Sequence, residues 1–134
     1  MVTLREGHLP EVAEVLELYR ANHWSSAEKP DQLMAGLAGS HSLVTAWRGE
    51  TLVGLGSAIS DGALVVYYPH LLVHPDCAGQ GIGRAIMARM QVRYGAMHQQ
   101  VLIADGDTTG FYARLGFRPA GRTQAMWVYD GADH

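Results

Sequence analysis

The chain has 134 residues, of which 48% are apolar and 17% charged, so residues 1–134 are expected to form one domain that folds on its own core and not a disordered segment. The first residues, MVTLREGH, lack the basic start and apolar stretch of a secretory leader, no apolar run nears the ~20 residues that span a bilayer, and a single cysteine, Cys77, excludes an internal disulfide; a cytoplasmic protein with no membrane partner is expected. Net charge is −3, with nine acids against four bases in residues 1–76 and four acids against six arginines in residues 77–134, so the second part favours an anionic ligand while the whole lacks the basic footprint of a nucleic-acid binder.

In chain order, VTLRE (residues 2–6) reads as a short strand. Leu9, Val12, Ala13, Leu16 and Tyr19 then give the stripe of an amphipathic helix, with Pro10 suited to its first turn. A second helix is expected from Pro30, carrying Leu33, Met34 and Leu37 and ending at Gly39 and Ser40. His23 and Trp24 lie in the loop between the two. Three strand-like segments follow, HSLVTAWR, TLVGLGSAIS and ALVVYYPHLLV, separated by the hairpin dipeptides GE and DG, which predicts an antiparallel meander. Along the third, simple alternation puts Tyr68 and His70 on one face.

After a glycine-rich stretch, Ile82, Ile86, Met87, Met90 and Tyr94 line one side of a helix whose other side shows Arg84, Gln91 and Arg93. VLIA (residues 101–104) reads as a strand and DTTGFYARL as a short helix. GRTQAMWVY (residues 121–129) reads as a closing strand whose Met126, Trp127 and Tyr129 are expected in the core or a dimer contact. With no repeat or linker, the class is α/β (α+β), a mixed sheet with helices on its faces.

The stretch HPDCAGQGIGRAIMARM carries the chemistry. A triphosphate-binding loop needs a lysine, and the only one, Lys29, lies far upstream. The Rossmann spacing is not met, because its third glycine falls on Arg84 or Ile86. Asp105 does mimic that fold's acidic ribose ligand, so nicotinamide binding stays as an alternative that affinity for NAD would reveal. What remains is an anion at a helix start, where Gly79, Gly81 and Gly83 let a phosphate approach unpaired backbone N–H groups. Glycines also serve a plain strand-to-helix turn; three in alternation, flanked by Gln80 and Arg84, favour the anion.

VHPDCAGQGIGRAIM resembles the pyrophosphate-binding motif of GNAT-superfamily N-acetyltransferases, and FYARLGF, Phe111 to Phe117, is similar to their second signature. The order of elements follows that fold over essentially the whole chain, and the ending, YDGADH, is similar to the tail of a bacterial subgroup that acts on small molecules. The resemblance implies a single GNAT fold, a mixed and mostly antiparallel sheet flanked by about four helices, with the fourth and fifth strands splayed around acetyl-coenzyme A (acetyl-CoA). Pantetheine would add to the strand edge at Leu71, Leu72 and Val73, and the pyrophosphate would rest on Ala78, Gly79, Gln80, Gly81, Ile82, Gly83 and Arg84, with Phe111 and Tyr112 beside the cofactor. Two positions depart from the pattern. Ala78 stands where Arg or Gln is usual, and Asp105 stands where an Asn frequently contacts pantetheine, although a carboxylate cannot donate a hydrogen bond.

An alkyl amine of pKa near 10.4 is neutral in only about 1 molecule in 2,500 at pH 7, a handicap of ~4.6 kcal/mol, so acyl transfer to it needs a base, and the departing thiolate gains from an acid. Tyr112 matches the tyrosine that serves as general acid in much of the family. His70 occupies a place where relatives often carry a water-linked acidic base, and an imidazole can accept a proton at neutral pH. His23, Trp24 and Tyr68 are the expected acceptor wall. No metal is expected, because His70 and His74 on one strand would lie ~13 Å apart. Cys77 has no histidine partner with a precedent and reads as a loop thiol. The implied reaction is acetyl transfer from acetyl-CoA to a small-molecule amine in a ternary complex; the alternative is a non-catalytic acetyl-CoA sensor. A homodimer is the expected assembly.

Overall fold

In the computed structural model, which describes residues 1–132 and leaves Asp133 and His134 of the tail outside the described residues, the longest strands form where buried residues run unbroken. These are β2 (Ser42–Arg48) and β3 (Thr51–Ser60), joined by a tight turn at Gly49, whose φ is +61°. β1 (Val2–Glu6) pairs antiparallel with β2, and β2 pairs antiparallel with β3. β4 (Val65–Tyr68) pairs antiparallel with the end of β3 and parallel with β6 (Gln99–Leu102), while β5 (Leu71–Val73) rejoins β3 farther along. The β3–β4 turn is longer than the DG dipeptide predicts, because β4 begins only at Val65 and residues 61–64 form the connection. Gly62 sits at φ +81°, and Asp61 Oδ1 accepts the amides of Ala63, Leu64 and Val65 at 2.9, 2.8 and 3.2 Å.

Helices α1 (Val12–Ala21) and α2 (Pro30–Ala38) cover one face of the sheet. Val15, Leu18, Tyr19, Leu33 and Leu37 meet Leu43, Trp47 and Leu55 there. α1 starts later than its apolar stripe suggests, with Glu11 as its first cap and the Glu14 carboxylate accepting the Glu11 amide. Helix α3 (Ile82–Tyr94) covers the other face, with Ile86, Met87, Met90 and Tyr94 against Val44, Ala46, Ala58 and Val66. Gly56 is what brings α3 so close: a Cβ there would lie 2.5 Å from Ile86 Cγ2. The short α4 (Thr109–Ala113) follows β6. No helix among the described residues is long and apolar enough to cross a membrane.

Two sequence expectations are corrected. The segment expected as one strand over residues 63–73 is broken at Pro69 and His70. The pairs Ile59↔Tyr67 and Gly56↔Leu71 leave two residues of β3 opposite three, a bulge seeded by a proline that has no N–H for the ladder. Ser57 N donates to His70 O at 3.0 Å and holds the bulge to the sheet. The extra residue flips the alternation, so Tyr68 and His70 occupy opposite faces. Tyr68 is buried under α3 with its hydroxyl donating to Gln100 Oε1, whereas His70 meets Tyr19 of α1.

Residues 121–129 were expected to close the sheet, yet among the described residues they join no ladder. A turn closed by Thr123 N donating to Ala120 O, with Gly121 at φ +66°, redirects the segment. It runs instead to the α1–α2 face, where the Tyr129 hydroxyl and Ser25 Oγ share a 2.7 Å hydrogen bond.

Candidate active site

The β4–β6 ladder ends at the pair Tyr68↔Leu102, and β5 then stays with β3 while the chain after β6 departs. This is the expected splay of the fourth and fifth strands, and the bulge sets its position. The edge of β5 that faces away from β3 has no ladder partner among the described residues, which leaves the backbone of Leu71, Leu72 and Val73 able to take an added strand.

β5 runs through a short 3-10 turn, Pro75–Cys77, into the glycine loop. Cys77, expected as a loop thiol, ends this turn; at 4% exposure it belongs to the core under α3 and anchors the loop's near end. Gly79 and Gly81 then take φ of +77° and +78°, values that favour glycine, and Gly81 caps α3. The helical bonding begins with Ala85 N donating to Gly81 O, so the amides of Ile82, Gly83 and Arg84 have no acceptor one turn back within the helix. A Cβ built on Gly79 or Gly81 meets nothing within 4 Å, and Ala78 to Gly81 are exposed. This is an open backbone cradle at the positive end of a three-turn helix, and it fits a diphosphate.

The arginines sort themselves around the cradle. Arg89 pairs with Glu6 at 3.0 Å, and Arg93 donates to His41 O and Ser42 Oγ. Arg84 is exposed on the first turn of α3. Arg48, at the end of β2, reaches across to donate to Gln80 Oε1; nothing in the local motif pointed to it, because it lies 32 residues away in sequence.

Phe111 and Tyr112 approach from α4. A Cβ on Gly83 would lie 3.4 Å from Phe111 Cζ and 3.7 Å from Val73 Cγ2, so the Phe111 ring sits where β5, the loop and α4 converge. The Tyr112 ring centroid lies 5.0 Å from that of Phe111 and 6.0 Å from that of Phe117. Burial, and secondarily the negative charge of Asp105, push the Tyr112 phenol above its ordinary pKa, so it keeps its proton. Asp105 itself is exposed, and its backbone oxygen accepts from Thr108 N and Oγ1 at 2.9 and 2.8 Å, which sets the start of α4.

On the α1–α2 face lies a cavity of about 710 Å³. Pro69 and His70 from the broken strand and Ile103 just past β6 all line it, so its inner end reaches the point where the strands part. His70 is fixed on that wall. Its Nδ1 lies 2.7 Å from the Tyr19 hydroxyl, and its ring packs edge-on to Trp24 and Tyr19 at 5.2 and 5.4 Å. Burial holds the Tyr19 phenol well above its usual pKa, so that partner stays neutral.

Of the expected acceptor wall, Trp24 lines the cavity. His23 is exposed in the turn after α1, at φ +60°, and is not among the lining residues; Tyr68 is buried on the other face, and Tyr67 takes the place assigned to it. Trp127 and Tyr129, expected in the core or a dimer contact, line the cavity as well. The signal for Tyr67 was Pro69, since a proline inside a strand pattern marks a bulge. No comparable signal existed for the aromatic pair. Among the described residues no group of three or more His, Cys, Asp or Glu could hold a metal ion.

Residues 11–127 match a family described as the acetyltransferase (GNAT) domain. Over 68 residues the chain is 37% identical to ycf52 of Gracilaria tenuistipitata var. liui, described as an uncharacterized N-acetyltransferase, covering 49% of this chain and 37% of that protein. The same-named protein of Porphyra purpurea is 34% identical over 68 residues, 49% of this chain and 39% of that protein, so the matches span well under half the length of these relatives. The fold superposes on a GNAT-family acetyltransferase from Streptococcus pneumoniae TIGR4 with a TM-score of 0.84 at 26% identity, over 98% of this chain and 100% of the other. A family match over most of the chain joins a backbone cradle, a strand splay and a matching solved fold, and on these grounds the chain belongs to the GNAT acetyltransferase family.

Proposed function

We propose that the protein transfers the acetyl group of acetyl-CoA directly to a primary amine of a small molecule within a ternary complex. The observation that carries this reading is the parting of β4 and β6, with an open cradle for a diphosphate on the α3 side and a cavity on the α1–α2 side, both reaching the same gap. When bound, acetyl-CoA supplies an activated thioester. Gly79 to Arg84 and Arg48 hold its phosphates, β5 extends its ladder to the pantetheine amides, and Phe111 walls the channel.

The amine nitrogen forms a bond to the carbonyl carbon and the C–S bond breaks. Tyr112, kept protonated by its surroundings, gives its proton to the departing sulfur. His70 Nε2 takes the amine proton, directly or through one water. That requires the tautomer with the proton on Nδ1, donated to the Tyr19 oxygen; the 2.7 Å contact is compatible with this direction and equally with the reverse.

The test is free-thiol release with acetyl-CoA and a panel of primary amines. Amine-dependent thiol release is expected. Acetyl-CoA binding by calorimetry without release for any amine would show a sensor in place of an enzyme.

A further inference from the structure

Four aromatic rings, Trp24, Tyr67, Trp127 and Tyr129, line the cavity on the α1–α2 face, together with apolar side chains that include Leu33 and Ile59. We infer that the acceptor is a primary amine with an aromatic body, an arylalkylamine, and not a polyamine or an amino sugar phosphate. The inference rests on the acetyl-transfer reading and names the substrate class of that same site.

The size fits, because about 710 Å³ lies in the ~300–1,000 Å³ range of sites that enclose one small organic molecule. Composition selects within that range. Trp127 and Tyr129 stand edge-to-face at 5.3 Å, Trp24 stands edge-on to both Tyr19 and His70, and all three line the cavity. An aromatic guest gains edge-to-face and stacking contacts there, about 0.5–1.5 kcal/mol per pair beyond area burial.

Charge argues against the sugar phosphate. The lining carries two carboxylates, Glu28 and Asp130, against one ammonium, Lys29, a balance that draws in an alkylammonium and repels a phosphate-bearing acceptor. Ring faces add attraction for the same cation. The glycine loop contributes no lining residue, so the cofactor's phosphates do not compete for this space. The polar end of the guest then lies toward His70 and the strand gap, and its ring lies toward Trp127.

The experiment measures kcat/KM with acetyl-CoA for phenethylamine and tryptamine against putrescine and glucosamine 6-phosphate, together with thermal shift of the coenzyme A complex by each amine. Aromatic amines are expected to exceed the others by about tenfold or more, equivalent to ~1.4 kcal/mol. Trp127→Ala, at a half-exposed position outside the core clusters, is expected to raise the KM for tryptamine about tenfold with the acetyl-CoA Kd unchanged. Preference for putrescine or the sugar phosphate overturns the inference and leaves acetyl transfer standing. Aromatic amines that stabilise the complex, lose that effect in Trp127→Ala and release no thiol support the inference and sink the transfer reading. Aromatic amines that neither bind nor react overturn the inference.

Discussion

Tyr112 illustrates how a side chain's surroundings decide its role. Burial and the nearby Asp105 charge both favour the neutral phenol, so it is suited to give a proton and not to take one. Tyr112→Phe keeps the ring between Phe111 and Phe117 while removing the proton. The expected result is a fall in kcat of about 10²-fold or more with the acetyl-CoA Kd unchanged, read by steady-state kinetics and calorimetry; intact kcat with weakened binding would reduce the residue to packing. The sign of the pH dependence follows. Activity needs the protonated phenol, so the alkaline limb set by Tyr112 lies above pH ~10, the ordinary phenol value. Asp105→Asn removes a charge that raises it, and a kcat profile between pH 8 and 11 should show the limb moving to lower pH. Tyr112 was legible in the sequence because its motif is local. The placement of His70 was only half legible: it follows β4 in the chain, but it lies in the break before β5, its face turned on one inserted residue, and Tyr19, its buried partner 51 positions away, carried no sequence signal.

At the scale of elements, glycine does two opposite jobs, and substitutions should separate them. Gly56 exists for packing. Its missing Cβ admits Ile86 Cγ2 and Met90 Cε, atoms that a side chain would meet at 2.5 and 2.8 Å. Gly56→Val must push α3 off the sheet, and a loss of about 1–3 kcal/mol or more in urea unfolding is expected. Gly81 exists for the ligand. It sits at φ +78° with open space where a Cβ would go, so Gly81→Asp incurs backbone strain of ~1–2 kcal/mol but no clash. What it does lose is the site, because the new carboxylate occupies and repels the diphosphate cradle; acetyl-CoA binding should vanish while a folded protein remains by circular dichroism. β1, β2, β3 and α3 were readable because their periodicity is long and consistent with their packing. The closing strand was not. Its alternating apolar residues are a valid strand pattern, but the left-handed turn at Gly121 and the Tyr129–Ser25 bond send it to the cavity wall, and neither depends on periodicity.

For the molecule as a whole, the sheet separates two cores, and each encloses a tyrosine that must stay neutral. Tyr19 is fully buried under α1, and Tyr68 is 4% exposed under α3. Burial raises both phenols far above their ordinary value, with the Tyr94 charge adding to the shift at Tyr68. In the unfolded chain each ionises near pH ~10. Below that pH both states hold the proton, and the contribution to stability is constant. Above it the unfolded chain releases protons that the folded chain retains, so the unfolding free energy falls as pH rises toward the folded values, with a limit of about 1.4 kcal/mol per pH unit for each phenol. Urea midpoints should therefore stay level in this respect from pH 8 to 10 and fall steeply from pH 10 to 11. Tyr19→Phe lets go of the bond to His70 and lowers stability at pH 8, yet the variant's decline above pH 10 should be shallower, since one of the phenols raised by burial is gone. A decline of unchanged steepness in that variant would mean that the alkaline instability belongs to phenols other than Tyr19. A steep loss already below pH 10 would mean that groups other than these phenols set it.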